Sequence, residues 1–350
     1  VPDSAVEPRP AAVTERADAA ASVADPAAVG TAVTPAVTPA VTPGAGSADD
    51  AAAGAAGPAG SEARAGAEGL AGRVAVVTDS TADLPASLAG AVRVVPLEVR
   101  LGDRVVRDGV DIGPGELSAA IADRRLDVQT SRPTPEAFAE TYRDLLAAGA
   151  SAVVSVHLSR ELSGTWDAAR LAAEEVDPSR VRVVDSRAMG MGLGFAVLAA
   201  DRVAAEGADP ADVEAAASAV AARCRVIFCV DELDRLRRGG RIGAAAAVVG
   251  TVLAVKPLLH LVDGRITALE KVRTSSRAAQ RLVEHAVAAA GPEADLAVHH
   301  LGVPERAEEL ADRLAERLPA SPRPVVSEIS AVIGAHVGNG ALGVVVVPRG

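Results

Sequence analysis

The chain has 350 residues, 49% of them hydrophobic but only 1% aromatic, and a formal net charge of −11. Residues 1–72 hold nine acidic and three basic side chains, a net −6, which leaves −5 for residues 73–350. So mildly acidic a body argues against nucleic acid as the main partner and against an anionic membrane surface. Two cysteines, Cys224 and Cys229, make neither a disulfide framework nor a zinc site, and no histidine spacing suggests a metal.

Residues 1–72 contain no aromatic and repeat Ala-Val-Thr-Pro at 32–35, 36–39 and 40–43. Proline at every fourth position removes backbone donors, and nothing bulky offsets the entropy of ordering, so the segment reads as a disordered Ala/Pro-rich tail. Its start lacks the basic region and apolar stretch of a signal peptide. The longest apolar run, 244–255, is too short to cross a bilayer. The expectation is a cytoplasmic protein without stable membrane insertion.

From residue 73 the period changes, and apolar runs at 74–77, 92–99, 152–156 and 181–184 alternate with helical stretches at 114–122, 135–148, 165–175 and 191–205. That alternation predicts a parallel sheet flanked by helices over 73–223, with a further helix at 210–223. Thr134 before Pro135 and Glu136 is a helix start signal. Residues 224–350 read as a strand at 225–230, a short helix at 231–238 and a small-residue helix at 242–255. A hairpin through Asp263-Gly264 follows, then helices at 275–290 and 305–318 and strands at 295–301, 325–329 and 342–347. The predicted class is α/β, with two domains and antiparallel pairing in the second.

In open parallel sheets ligands sit beyond the carboxyl ends of strands. Here hydroxyl-rich loops stand there: Thr78-Asp79-Ser80-Thr81 after the first run and the segment 159–165 after the third. Thr130-Ser131-Arg132-Pro133-Thr134 is a third such cluster. Clustered O–H and N–H donors beside apolar walls suggest a site for a buried anionic head group. Each loop also has a plainer reading, with Asp79, Ser80 or Thr81 capping a helix at 82–88 and Ser163 capping the helix from Thr165. His157 reads as a satisfied strand-end histidine, and His299 and His300 alternate across one strand, so that only one faces the interior.

The ordered pieces are Val-Val-Thr-Asp-Ser-Thr-Ala-Asp-Leu-Pro (76–85), Val-Val-Pro-Leu (94–97), Thr-Ser-Arg-Pro-Thr (130–134), Leu-Ser-Gly-Thr (162–165) and Val-Asp-Ser (184–186). They continue with Leu-Arg-Arg-Gly-Gly-Arg-Ile-Gly (236–243), Val-Lys-Pro-Leu-Leu (255–259), Lys-Val-Arg-Thr (271–274) and His-Val-Gly-Asn-Gly (336–340). Together, over about residues 73–350, they resemble the DegV family of fatty-acid-binding proteins, which includes the acyl-carrying subunit of bacterial fatty acid kinase. The resemblance implies a two-domain DegV-like fold, 73–223 and 224–350, the second enclosing the acyl chain and the carboxylate lying at the junction. It also implies a separate ATP-binding kinase subunit as partner, to which the lipid is presented for acyl phosphate formation. No cofactor or catalytic residue of the chain's own is expected.

Motif by motif, the resemblance puts Thr130 and Ser163 on the carboxylate and Arg273 and His336 as an outer basic pair important for transfer. Ser131, Gly164 and Arg241 are neighbours, Arg241 also partner-facing. The chemistry is consistent with this: a carboxylate removed from water needs donors or a charge partner. At about 0.8 kcal/mol per methylene, burying roughly sixteen carbons gains on the order of 12 kcal/mol before ordering costs. Helix 244–255, built of small residues, suits either a tunnel wall or close packing. Asn339 stands where the family motif has proline, which puts partner docking in question. A nucleotide- or phosphate-using α/β enzyme is the alternative, from Gly190, Gly192 and Gly194, although the spacing is Gly-x-Gly-x-Gly and no Walker lysine is present. A serine hydrolase using Ser163 and His336 lacks the Gly-x-Ser-x-Gly elbow.

Overall fold

A computed structural model describes residues 70–123, 127–242 and 255–349. The disordered tail expected over 1–72 and the small-residue helix expected over 244–255 fall almost wholly outside them.

Strand β1 (Val74–Asp79) is buried along its whole length, as a central strand covered on both faces must be. It pairs in parallel with β2 (Arg93–Val95) and β6 (Ala152–His157), and β6 pairs in parallel with β7 (Val181–Asp185), giving the order β2-β1-β6-β7. Helices α2 (Pro135–Ala147) and α3 (Thr165–Val176) cover one face with Phe138, Tyr142 and Ala169. Helices α4 (Met191–Ala205) and α5 (Pro210–Arg223) cover the other with Leu193, Ala196 and Val213.

The parallel sheet is as expected; the apolar run 92–99 is not one strand. It breaks at Pro96, which has no N–H for a ladder, and continues as β3 (Glu98–Leu101) in a different sheet. There β3 pairs antiparallel with β4 (Arg104–Arg107) and with β5 (Val128–Ser131). Helix α1 (Pro114–Ala122) lies between β4 and β5 in the chain. This small sheet carries Thr130, half-buried, on β5.

The second half is a six-stranded sheet, ordered β10-β9-β8-β13-β11-β12, antiparallel except for the parallel pair β11–β12. Its strands are β8 (Arg225–Cys229), β9 (Lys256–Val262), β10 (Arg265–Val272), β11 (Ala294–His300), β12 (Val325–Glu328) and β13 (Leu342–Pro348). The Asp263-Gly264 hairpin forms as predicted, both residues at positive φ, 50° and 79°. The short helix α6 (Asp234–Arg238) follows β8. Helices α7 (Ser275–Ala290) and α8 (Pro304–Arg317) pack Leu282, Ala286 and Leu310 on one face. The opposite face contributes Phe228, Leu259 and Val345 to a core shared with Leu97 and Val99 of the small sheet, Met191 of α4 and Val332 of helix α9 (Ala331–Val337). Both faces of β11 are therefore covered, and His299 and His300 are both buried, at 6% and 7% exposure. This corrects the expectation that only one points inward.

The glycines of the rival nucleotide reading serve packing. A Cβ on Gly192 would lie 2.9 Å from both Cys224 Sγ and Val226 Cγ2, where α4 meets β8. Burial pushes the Cys224 thiol up to about 12 and the Cys229 thiol up to about 11, so both behave as small apolar groups. Gly192→Ala is expected to cost about 1–3 kcal/mol through overpacking, measured by denaturant unfolding; unchanged stability would show that α4 is free to shift away from β8.

Candidate functional site

The site is framed by the carboxyl ends of β1 and β6. Asp79, last residue of β1, is fully buried, and its Oδ1 accepts from the backbone N–H of Thr81 at 3.1 Å and from the Thr81 hydroxyl. Its Oδ2 accepts from the Leu158 N–H at 3.1 Å and lies 2.9 Å from His157 Nδ1. His157 Nε2 is 2.7 Å from Ser155 Oγ, which accepts from the Tyr142 hydroxyl at 2.8 Å. His157 is thus the satisfied strand-end residue expected. Asp79, His157 and Ser155 follow each other like a hydrolase relay, but all three are completely buried, so Ser155 meets no substrate. Asp79 caps a single 3-10 turn, Ser80–Ala82, rather than a helix at 82–88.

Next to this frame lies a cavity of about 60 Å³. Its polar lining includes Thr130, Ser131, Ser163, Arg241 and His336, together with Thr81 and Arg132; Leu97, Leu158, Met189, Ile333 and Val337 supply apolar wall. The fold therefore assembles on one cavity the expected Thr130, Ser131, Ser163, Arg241 and His336, which come from four separate segments of the chain. Thr130 Oγ1 is 2.9 Å from His336 Nε2, which ties β5 to α9. The Ser163 hydroxyl lies 2.9 Å from Thr165 Oγ1 and accepts from the Thr165 N–H at 3.3 Å, so it serves the helix start as well as the cavity. The pairing of Ser163 with His336 that a hydrolase would need is replaced by these bonds.

Arg241 is half-buried and donates from Nε to the Leu162 carbonyl at 3.0 Å and from Nη1 to the Gly239 carbonyl at 2.5 Å. Those carbonyls hold its charge beside Ser163. Thr130, Arg241 and His336 also line an outer groove with Arg235, Arg237 and Asp234. Gly164 stands just behind the cavity: a Cβ there would collide with the guanidinium of Arg132. Arg132 was not singled out in the sequence, although it sits between a hydroxyl pair and a proline at the end of β5. Ser131 is at the rim, exposed, and donates to Glu98 Oε2 at 3.0 Å. Arg273 is not among the cavity's lining residues; it is exposed, just beyond the end of β10.

His336 differs from its expected role as half of a basic pair. Burial, with the Arg241 charge adding to it, pulls its pKa down to about 4, so the ring is neutral at physiological pH. Permanent positive charge at the cavity comes from Arg241 and Arg132 instead. Asn339 stands between Gly338 and Gly340, at φ 78° and 81°, and both accepts from Ser118 Oγ at 3.1 Å and donates to the Ser118 carbonyl at 2.9 Å. Here the side chain in the proline position clasps α1 to the loop after His336.

The second half reaches this site through its hairpin. Ser159 Oγ donates to the Gly264 carbonyl at 2.8 Å, and Arg265 pairs with Glu161 at 2.6 Å. Among the described residues no group of three His, Cys, Asp or Glu is placed to hold a metal. No described helix is long and apolar enough to cross a membrane.

The sequence profile of the DegV family, described as an uncharacterised protein family, matches residues 73–349. A DegV domain-containing protein of Streptomyces coelicolor is 54% identical over 279 residues, 79% of this chain and 99% of that protein. Among solved structures, a Thermus thermophilus DegV family protein described by its fatty acid binding is 37% identical, with a TM-score of 0.74, over 79% of this chain and all of that one. A Bacillus subtilis DegV described as a fatty acid binding protein is 31% identical, with a TM-score of 0.70, over 79% of this chain and 99% of that one.

Asp79→Ala strands four donors at once, and a loss on the order of 3 kcal/mol in denaturant unfolding is expected; a loss below 1 kcal/mol would show that water replaces the carboxylate. The ring of His336 should show no titration step between pH 8 and 5 in NMR spectra assigned with His336→Asn. Its stability effect follows in sign: the folded pKa is depressed below the unfolded 6.5, so stability is lost as pH falls from about 6.5 to about 4. A midpoint near 6.5 would refute the neutral ring.

Proposed function

The chain belongs to the DegV family, and on that premise we propose that it binds a long-chain fatty acid, its carboxylate held by Thr130 and Ser163 and its acyl chain in the shared core. The observation that carries this reading is the composition of one cavity. Two half-buried hydroxyls and an arginine line it together with Leu97, Leu158, Met189, Ile333 and Val337. Hydroxyl donors and Arg241 together meet the needs of a carboxylate leaving water, and the apolar wall suits hydrocarbon. A nucleotide would instead need a phosphate-cradling loop, and the glycine-rich segment at 190–194 is occupied with packing against Cys224 and Val226.

The finer reading is that the protein is a substrate-presenting subunit with no chemistry of its own, acting in the cytoplasm, where the ATP for phosphoryl transfer is found. A separate ATP-dependent kinase subunit would phosphorylate the bound carboxylate. The groove that carries Thr130, Arg241 and His336 from the cavity to the surface supports such an approach. In this reading Arg241 and His336 face the partner, and Arg273, exposed beyond β10, contributes from outside the cavity. The same reading divides the chain between residues 223 and 224, and the change from the parallel sheet before β8 to the mixed sheet after it supports that division.

Protein purified from a bacterial host should release a stoichiometric long-chain fatty acid in denaturing mass spectrometry. Thr130→Ala with Ser163→Ala should lower affinity for that acid roughly 10- to 100-fold, the worth of one or two hydrogen bonds to a charged group, with unfolding unchanged. Full occupancy in the double variant would sink the carboxylate assignment, and a bound nucleotide in place of lipid would overturn the function.

A further inference from the structure

A second cavity, of about 40 Å³, adjoins the first through Met189, Ile333 and Val337, which line both. Its remaining wall is apolar, from Phe228, Val345 and their neighbours, except at one end, where Asp83 and His299 enter it. We propose that this cavity is a subsite for the far end of the acyl chain, and that Asp83 makes it a reader of an oxygen-bearing group there, so that the preferred ligand class is a long-chain fatty acid hydroxylated near its methyl end. The proposal rests on the fatty-acid reading and specifies which acid.

Asp83 is held in place and yet unsatisfied. Its side chain is fully buried, Oδ1 accepts from the Ser330 N–H at 3.0 Å, and Oδ2 has no hydrogen-bond partner among the described residues. Apart from Ser330, whose hydroxyl also bonds the carboxyl, the polar side chain that shares this cavity is His299, and it offers Oδ2 nothing. His299 Nε2 accepts from the Met191 N–H at 2.8 Å, which fixes the ring proton on Nδ1, and Nδ1 lies 3.0 Å from Ser327 Oγ. The separation of 3.9 Å between Nδ1 and Oδ2 is too long for a hydrogen bond. Gly190, at φ 59°, leaves the approach open, since a Cβ there would stand 3.5 Å from Oδ2 and 2.8 Å from His299 Nε2.

Burial raises the Asp83 pKa well above the ordinary carboxylate range, and the nearby Asp108 and Asp79 raise it further, while the bonds from Ser330 oppose both. A neutral acid with its proton on Oδ2 is a donor looking for an acceptor, and a ligand hydroxyl is one. An unpaired polar atom in an otherwise apolar cavity costs stability in every state except the one that pairs it. Methionine at 189 suits a partition that must give way when a chain threads from one cavity to the other, because its side chain is unbranched and adaptable.

The test is displacement of a fluorescent polyene fatty acid from the full-length protein by saturated acids of about 12 to 18 carbons and by their terminally hydroxylated counterparts. At the chain length that spans both cavities, the hydroxylated acid should bind about tenfold more tightly than its parent, one hydrogen bond's worth. Asp83→Asn keeps an acceptor for Ser330, tolerates the positive φ and puts an N–H in place of Oδ2, so the preference should persist. Asp83→Ala should abolish it while the parent acid still binds. Parents that bind at least as well as hydroxylated acids at every length in the wild type would overturn the subsite, whatever becomes of the variants. Failure of both series to displace the probe would overturn the fatty-acid reading and the subsite with it.

Discussion

Two loops from different strands must be held at a fixed separation for the cavity to exist, and the carboxylate of Asp79 does this. It accepts from Thr81 on its own loop and from Leu158 at the start of the neighbouring one, and contacts His157 between them. Because the group is wholly buried, each of these bonds replaces one to water that the fold has removed, and a missing donor would be felt in full. Placement of Thr81, Leu158 and Leu162 around the cavity follows from it. The chain through His157 and Ser155 to Tyr142 fastens the same point to α2, so the polar end of the cavity is tied to the helix layer behind the sheet.

Against that frame the cavity offers hydroxyls more than charge. His336 is neutral, Thr130 is bonded to it, and Arg241 has its guanidinium anchored on two carbonyls of the chain. A carboxylate bound here would exchange some of these internal bonds for its own. For a fatty acid in this cavity the apolar wall would be the larger source of affinity, since transfer of methylenes scales with length whereas a head group adds a fixed amount.

Long buried strands, the Asp263-Gly264 turn and the amphipathic helices at 275–290 and 304–317 were legible because their periods and turn residues state the outcome directly. The small sheet was not: β3 alternates as Glu-Val-Arg-Leu but for only four residues, β4 reads Arg-Val-Val-Arg and β5 Val-Gln-Thr-Ser, so each is too short and too polar to announce a strand. Helix α9 is only seven residues, buried nearly throughout, and its apolar run could equally have been a strand. Of the site, Thr130, Ser163, Arg241 and His336 were found through a resemblance over many motifs, since no single loop spacing identifies them. The neutrality of His336 and the position of Arg273 away from the cavity depend on tertiary burial, and Arg132 came to notice only because it leans over Gly164.

The hairpin turn of the mixed sheet is fastened to the loop that carries Ser163. Ser159 donates to the Gly264 carbonyl in a position where any side chain on that glycine would collide with it, and Glu161 holds Arg265 two residues before Ser163. Any swing of the β9–β10 ribbon therefore pulls on the peptide segment that lines the cavity at Leu162 and Ser163. Opening of the cavity and movement between the two sheets would then be one mechanical event, and a protein docking against the ribbon would gain leverage over the cavity without touching it.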